Sequence, residues 1–234
     1  MNNERIEINP GISLGRIFKK SFELYGKHFI DFISLSLIYA LAVAIIRVIV
    51  KKIGGGETNA IFMTVIFNTL ILCRVSVALI YMASQKIEKK EIDVSRAFAD
   101  TQGFYPNYLM VYSFVFFLMG LGFLLFIIPG FYVGTIFLFA DALVVLEKKN
   151  VPSSFSRSRQ LVEKHFGIVF LFLTIIILIS LSPVIFLKIL VPSYINLVKN
   201  FSDLFSALFI PFYMIAQVEL YQQIKERMRS IEAF

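Results

Sequence analysis

The longest apolar tract of this chain runs from Tyr108 to Leu146 and contains a single formal charge, Asp141. About 20 apolar residues in a helix cross a hydrocarbon core roughly 30 Å thick, so this tract has the length for two crossings. Lipid offers no water to backbone groups, which limits crossing segments to helices and closed barrels. Barrel strands alternate in polarity over about 10 residues, whereas this tract is continuously apolar. The tract therefore predicts membrane-crossing helices.

Similar runs along the whole chain predict an all-α integral membrane protein with six transmembrane helices in a single domain, 1–234. The composition agrees, since 58% of the residues are hydrophobic and 17% are charged, against about 25% charged in ordinary soluble domains. Pro129-Gly130 is a turn signal and predicts a tight hairpin within the long tract, and Gly54–Gly56 predicts a linker. The six predicted crossings are Phe29–Val50, Ala60–Ala83, Phe104–Ile128, Phe131–Glu147, Phe166–Leu190 and Phe201–Gln222.

Lysine and arginine are distributed unevenly between the two sides that these crossings define. With the N-terminus in the cytoplasm, the cytoplasmic segments hold 17 of the 23 basic residues and the outer segments hold 5, with Arg74 inside a crossing. Basic residues collect in cytoplasmic loops, where they meet anionic headgroups. We therefore expect both termini to be cytoplasmic. The formal charge of +7 then indicates anionic lipid, and not nucleic acid, as the partner.

Three segments that precede crossings one, three and five share a residue pattern. A phenylalanine, a serine, a leucine and then Lys-His-Phe recur at the same spacing from Phe18 and from Phe155, and the segment from Phe98 keeps the residue classes. Internal periods of this kind organise a fold. The pattern predicts three units, at about 12–83, 93–147 and 152–223, each an interfacial amphipathic helix followed by a helical hairpin. The alternative is that any helix leading into a membrane looks amphipathic.

The first of these segments separates apolar from basic residues on opposite helix faces. Such a helix is expected to lie in the headgroup plane, with its apolar face toward the lipid and its basic face toward anionic headgroups. The residues predicted to contact anionic lipid in the first and third segments are Arg16, Lys19, Lys20, Lys27, Arg157, Arg159 and Lys164.

The order of several short motifs resembles a known bacterial family. Pro129-Gly130 is followed by Asp141, by the basic loop Glu147–Asn150 and by the stretch Arg157–Leu161. This order, with the repeat, is similar to the membrane domain attached to some glycerophosphodiester phosphodiesterases and to its stand-alone YciC-like relatives. The resemblance implies a six-helix protein of the bacterial cytoplasmic membrane. The phosphodiesterase catalytic domain has no counterpart here, so that activity is not implied.

Arg74 and Asp141 are the charged residues that the sequence places deepest in predicted crossings. Charges at bilayer depth are costly and usually find a partner. The residue counts put both toward the cytoplasmic ends of helices two and four, which predicts an Arg74–Asp141 ion pair. Its role is either to fix helix packing or to line an ion or substrate path, and the third alternative is that the two residues make no contact. Further candidates for a polar interior are Asn68, Gln217 and Glu219.

The sequence offers little for chemistry or for metal binding. Cys73 is the single cysteine, which excludes an internal disulfide and a cysteine metal site. His28 and His165 share a repeat position and are expected to place polar tips at the headgroups. No nucleophile, base and orienting group recur at usable positions, so we predict no catalytic residue, no cofactor and no metal.

Three functional hypotheses remain open at this point. The first is a non-catalytic membrane protein that organises lipids or partner proteins, with a protein partner or a homo-oligomer as possibilities. The second is a small transporter or channel that uses the polar interior around Arg74 and Asp141. The third, a membrane-embedded lipid enzyme, has the least support.

Overall fold

The computed structural model describes residues 11–53, 57–190 and 195–232, and the predicted linker Gly54–Gly56 lies outside them. All regular structure within these ranges is helical. The helices are α1 (Leu14–Lys27), α2 (Phe29–Ile53), α3 (Glu57–Ile87), α4 (Val94–Asp100), α5 (Tyr105–Leu125), α6 (Ile127–Ile136), α7 (Ala140–Leu146), α8 (Val151–Glu163), α9 (Phe166–Leu190) and α10 (Ile195–Glu232), and a 3₁₀ turn, Gln102–Phe104, joins α4 to α5.

Five segments of the described chain are long and apolar enough to cross a membrane: Phe29–Val50, Thr58–Ile87, Gln102–Leu125, Ile127–Leu146 and Phe166–Leu190. The predicted all-α class is confirmed, and the five segments are those of a multi-pass membrane protein. The sixth predicted crossing, Phe201–Gln222, lies within α10, which is not among the five, and it stays a prediction. Ile127–Leu146 is the central segment, because 56% of it is buried in the protein against at most 39% of the others.

The hairpin between α5 and α6 forms as expected, but its turn is not at Pro129-Gly130. The chain reverses at Phe126, whose backbone is extended (φ −161°, ψ 160°). Pro129 is the third residue of α6, where a backbone N–H would have no partner within the helix. Its fixed φ suits that first turn. The predicted turn position was therefore wrong by three residues.

Glycines let α5 and α6 approach closely. A Cβ atom on Gly122 would lie 2.8 Å from the Cα of Gly130, and one on Gly130 would overlap the ring of Phe123. A Cβ atom on Gly134 would lie 2.9 Å from the Met119 methyl group, whereas one on Gly120 would meet nothing within 4 Å. The close approach of the two helices therefore depends on Gly122, Gly130 and Gly134 and not on Gly120.

We expect Gly122→Ala to destabilise the folded protein by about 1–3 kcal/mol, because the new methyl group meets the backbone of α6, which cannot rotate away. The matched control is Gly120→Ala, whose new methyl group would have no other atom within 4 Å. This substitution should leave stability unchanged or increase it slightly. Unfolding of the purified protein in mixed micelles measures both changes. Equal effects of the two substitutions would contradict this packing.

The fourth apolar segment is broken in its middle. α6 ends at Ile136 and α7 begins at Ala140, with a turn between them, so the predicted continuous helix Phe131–Glu147 was wrong. Backbone groups freed in an apolar region must be bonded elsewhere in the protein. The hydroxyl of Ser158 donates to the Ile136 carbonyl at 2.8 Å and accepts from the Phe139 N–H at 3.3 Å. The amide of Gln217 donates to the Leu138 carbonyl at 2.6 Å.

Helix α1 has the predicted two faces, but protein covers the apolar one. Ile17 and Ser21 are fully buried. Phe18 stacks on Phe172 of α9 with ring centroids 5.7 Å apart, and the hydroxyl of Tyr25 donates to the Leu208 carbonyl of α10 at 3.1 Å. The prediction that this face points toward lipid was therefore wrong, because the apolar face packs against α9 and α10. The basic face is exposed, as predicted.

The three proposed repeat segments correspond to α1, α4 and α8, each of which precedes a long apolar helix. The hydroxyl residues at the shared position, Ser21, Thr101 and Ser158, are all fully buried. Their partners differ, because Ser21 and Thr101 donate within their own helices whereas Ser158 bonds the break after α6. The threefold repeat stays a prediction.

The buried apolar residues form two clusters that share α7 and α10. One cluster contains Ala140 and Val144 of α7, and the other contains Leu143 of the same short helix. Helix α10 contributes Ile215 to the first and Leu220 to the second. The start of α7 therefore lies where the two clusters meet, and Asp141 is in its first turn.

Candidate functional site

Arg74 does not pair with Asp141 in the structure. Its guanidinium donates to the Thr101 hydroxyl at 3.0 Å and to the Phe98 carbonyl, and it lies 4.9 Å from the centre of the Phe98 ring. These groups belong to the C-terminal end of α4, where helix carbonyls lack partners and the helix dipole favours a cation. The long arginine side chain reaches that end. The predicted ion pair between helices two and four is therefore wrong.

Asp141 is bonded by neutral donors instead. One carboxylate oxygen accepts from the Ala142 N–H at 2.7 Å and from the Gln217 amide at 3.2 Å, and the other accepts from the Tyr108 hydroxyl at 3.1 Å. Gln217 thus bonds both the helix break and the carboxylate. Tyr108 was not singled out by the sequence analysis, because a tyrosine in an apolar run gives no sign that its hydroxyl faces an acid.

We expect a double-mutant cycle of Arg74→Met and Asp141→Asn to return a coupling energy below about 0.5 kcal/mol, because distant residues without shared partners act additively. Arg74→Met alone should cost about 1–3 kcal/mol, since it leaves a buried hydroxyl and carbonyl without their donor. Asp141→Asn with Gln217→Leu is the contacting control and should couple by more than 0.5 kcal/mol. If the coupling energy between Arg74 and Asp141 is as large as that of the control pair, the two residues form an ion pair and the arrangement described here is contradicted.

The other predicted interior residues separate into different places. The amide oxygen of Asn68 accepts from the Tyr39 hydroxyl at 2.8 Å, which links α3 to α2. Glu219 lies at the edge of a pocket that also contains Lys20. Of the three residues suggested for a polar interior, the structure brings only Gln217 to Asp141.

A pocket of about 440 Å³ lies where α1 with the following His28, the end of α3 with the following loop, and α10 meet. We call it the interfacial pocket, because it adjoins the ends of two apolar helices. Charged side chains dominate its wall. Its polar lining consists of Lys20, Glu23, Lys27, His28, Lys86, Lys89, Lys90, Glu91 and Glu219.

Lys86 fixes one wall of the interfacial pocket. Its side chain is 2% exposed, and its ammonium lies 2.7 Å from Asp31 and 3.2 Å from Nδ1 of His28. Burial, together with the charges of Lys86 and Lys27, lowers the pKa of His28. Because an ammonium group can only donate, Nδ1 of His28 is the acceptor of this hydrogen bond. A sequence signal was available, since Asp31 is the only acid in the first apolar run.

Three lysines of the interfacial pocket, Lys20, Lys27 and Lys89, make no side-chain hydrogen bond or ion pair within residues 11–53, 57–190 and 195–232. Lys90 pairs with Glu88 at 2.5 Å. Glu219 is 7% exposed and also has no direct partner in those ranges. Glu23 and Glu91 of the same lining have no ion pair in those ranges either. The pocket thus presents three free ammonium groups together with three carboxylates, of which that of Glu219 is buried.

The basic residues predicted to contact lipid fall into three groups. Lys20 and Lys27 line the interfacial pocket, while Arg16, Lys19 and Lys164 are exposed outside it. The remaining two have protein partners: Arg159 pairs with Glu163 at 2.5 Å on the surface, and Arg157 lies 3.5 Å from Glu147. Arg157 is half-buried and therefore joins helices instead of facing headgroups freely.

Glu147, at the end of α7, is the centre of an ion-pair cluster. It accepts from the Tyr221 hydroxyl at 2.7 Å, and the Lys225 ammonium lies 3.3 Å away. Burial acts to raise the pKa of this carboxyl group, but the Tyr221 hydrogen bond and the charges of Lys225 and Arg157 outweigh it and lower the pKa. The cluster ties α7 to α8 and α10.

We expect Glu147→Gln to reduce stability by about 1–3 kcal/mol at pH 7, the range for hydrogen bonds to charged groups. A carboxyl group whose pKa is lowered on folding stabilises the protein above its unfolded-state pKa, and the effect disappears as the pH falls through the folded-state pKa. The variant and the parent should therefore converge in acid. Unfolding midpoints between pH 7 and pH 3 test this, with the exposed Glu163→Gln as a control that changes stability little. A stability difference that persists in acid would contradict the assignment.

Within the described ranges, no group of three or more histidine, cysteine, aspartate or glutamate residues could hold a metal ion. Cys73 is buried and free. Comparison with protein-family models, curated proteins and solved structures finds no match to this chain. The interfacial pocket and Asp141 are therefore the two candidate sites, and the family resemblance stays a prediction.

Proposed function

We propose that this chain is a non-catalytic, multi-pass membrane protein that binds the headgroups of anionic phospholipids in the interfacial pocket and so organises lipids or partner proteins. The observation that carries the proposal is a set of three lysines, Lys20, Lys27 and Lys89, that line one pocket and have no ion pair within the described residues. A phosphate group supplies the negative charge and the acceptor oxygens that these ammonium groups lack.

The position of the pocket favours a lipid over a soluble anion. Its lining includes the apolar side chains of Leu24 and Ile87 beside the lysines, and Phe29 and Ile30, which follow the lining residue His28, are 44% and 77% exposed. Apolar side chains that border a cationic pocket suit a molecule with a charged head and acyl chains. A lysine near an anionic membrane surface contributes about 1 kcal/mol to binding.

The proposal includes six membrane crossings with both termini in the cytoplasm of a bacterium. The sixth crossing would be the middle of α10, and the support for orientation is the excess of lysine and arginine on one side of the chain. That side contains α1, α4 and α8 as well as the interfacial pocket. The pocket would then face the leaflet that carries anionic lipid.

The experiment compares two double variants of α1 that remove the same charge. Lys20→Gln with Lys27→Gln changes the pocket, whereas Arg16→Gln with Lys19→Gln changes exposed residues outside it. Binding of a fluorescent phosphatidylglycerol to the protein in neutral detergent is measured. We expect the pocket variant to lose at least tenfold in affinity and the control to stay within about twofold.

Two outcomes would contradict the proposal. Equal losses in both variants would mean that the basic face of α1 attracts anions without a defined pocket. Competition by free glycerol phosphate as strong as by the lipid would assign the pocket to a soluble phosphate ester. Circular dichroism and gel filtration of all variants check that each one folds.

A small transporter is the second candidate, and one observation favours it. The fourth apolar segment is discontinuous, and an acid lies at the start of its second half. Broken helices next to intramembrane polar groups are typical of transporter binding sites. Arg74 no longer supports this reading, because it bonds the end of α4.

A further inference from the structure

A second cavity, of about 260 Å³, lies among the apolar helices beside Asp141. It is formed by α5, by the broken α6–α7 segment, by α9 and by α10. Asp141 is the only residue with a formal charge in its lining. The other side chains around it include Tyr112, Phe116, Met119, Phe137 and Tyr213.

The carboxylate of Asp141 lines this cavity without a charged partner. The Ala142 N–H, the Gln217 amide and the Tyr108 hydroxyl donate to it. All three donors are neutral. No cation lies within ion-pair distance of Asp141 in the described parts of the chain. A cation that enters the cavity would supply the missing charge.

The wall of the cavity is suited to an organic cation and not to a bare metal ion. Tyr112, Phe116, Phe137 and Tyr213 bring four aromatic side chains to one cavity with one carboxylate. Aromatic faces attract ammonium groups, and aromatic cages are a known means of recognising quaternary ammonium. A small metal ion would need several oxygen ligands, whereas this lining offers one carboxylate and two phenol oxygens.

An apolar cavity beside the first one offers space for an alkyl chain attached to the ammonium group. A neighbouring cavity of about 350 Å³ lies between α9 and α10 and shares Ile177 and Tyr213 with the first. Its remaining lining is Ile176, Leu181, Phe209 and Ile210, with Ser180 as the single other polar residue. The two cavities therefore meet along α9 and α10, and an alkyl chain fits that joint surface.

We infer that the cavity at Asp141 binds a hydrophobic organic cation, with its ammonium group against the carboxylate and the aromatic rings and its alkyl chain between α9 and α10. This inference does not depend on lipid binding in the interfacial pocket, because the two sites share no lining residue.

The test uses radiolabelled decyltrimethylammonium and the full chain in nanodiscs of phosphatidylcholine, with empty nanodiscs subtracted. Asp141→Asn keeps the shape of the side chain and removes the charge, and we expect it to weaken binding at least tenfold. Its amide NH2 replaces the oxygen that accepts from the Tyr108 hydroxyl, which can accept in turn. Glu219→Gln is the matched control, since it removes one buried acid from the interfacial pocket, and it should stay within about twofold of the parent. Decanesulfonate, an anion with the same chain, should not compete.

A second pair of variants tests the aromatic wall and keeps the inference falsifiable if Asp141→Asn does not fold. Tyr112→Leu should weaken binding several-fold, whereas Tyr112→Phe, which keeps the ring, should bind like the parent. The inference is overturned by an Asp141→Asn variant that folds and binds as the parent does. Equal competition by decanesulfonate, equal binding by the two Tyr112 variants, or no binding to the parent chain would also overturn it.

Discussion

The break between α6 and α7 depends on hydrogen bonds that come from two distant parts of the chain. Ser158 of α8 bonds the last carbonyl of α6, and Gln217 of α10 bonds the Leu138 carbonyl. In an apolar environment an unbonded carbonyl is expensive, because water cannot replace the missing partner. The central segment can therefore be discontinuous only where α8 and α10 supply donors. This requirement fixes how the two apolar clusters meet and where Asp141 lies.

Charged side chains near the apolar segments also need partners, and three of them find these partners in different ways. Arg74 reaches the free carbonyls at the end of α4, and Lys86 pairs with Asp31 across α2 and α3. Glu147 gathers Arg157 and Lys225 just beyond the apolar segment. Asp141 is different, since its hydrogen bonds come only from neutral groups. The partners of Arg74, Lys86 and Glu147 hold helices together, whereas Asp141 lines a cavity without a charged partner in the described residues.

The two cavities suit ligands of opposite charge. The interfacial pocket places unpaired lysines where the apolar helices end, and the cavity at Asp141 places a carboxylate among aromatic rings between those helices. Helix α10 contributes Glu219 to the first and Tyr213 to the second. A shift of this one helix would therefore alter both sites, although they share no residue.

The sequence by itself determined the helical class, five of the six predicted apolar segments, the two faces of α1 and the hairpin of α5 and α6, because length, periodicity and turn residues are local properties. It also marked Arg74, Asp141 and Gln217 as the polar groups to examine. The partners of those groups were decided by the tertiary structure. Arg74 bonds a helix end 24 residues away, and Gln217 reaches a carbonyl 79 residues away. Sequence counts give a depth along a helix but not the direction in which a side chain points, and the break after Ile136 exists only because α8 and α10 supply its hydrogen bonds.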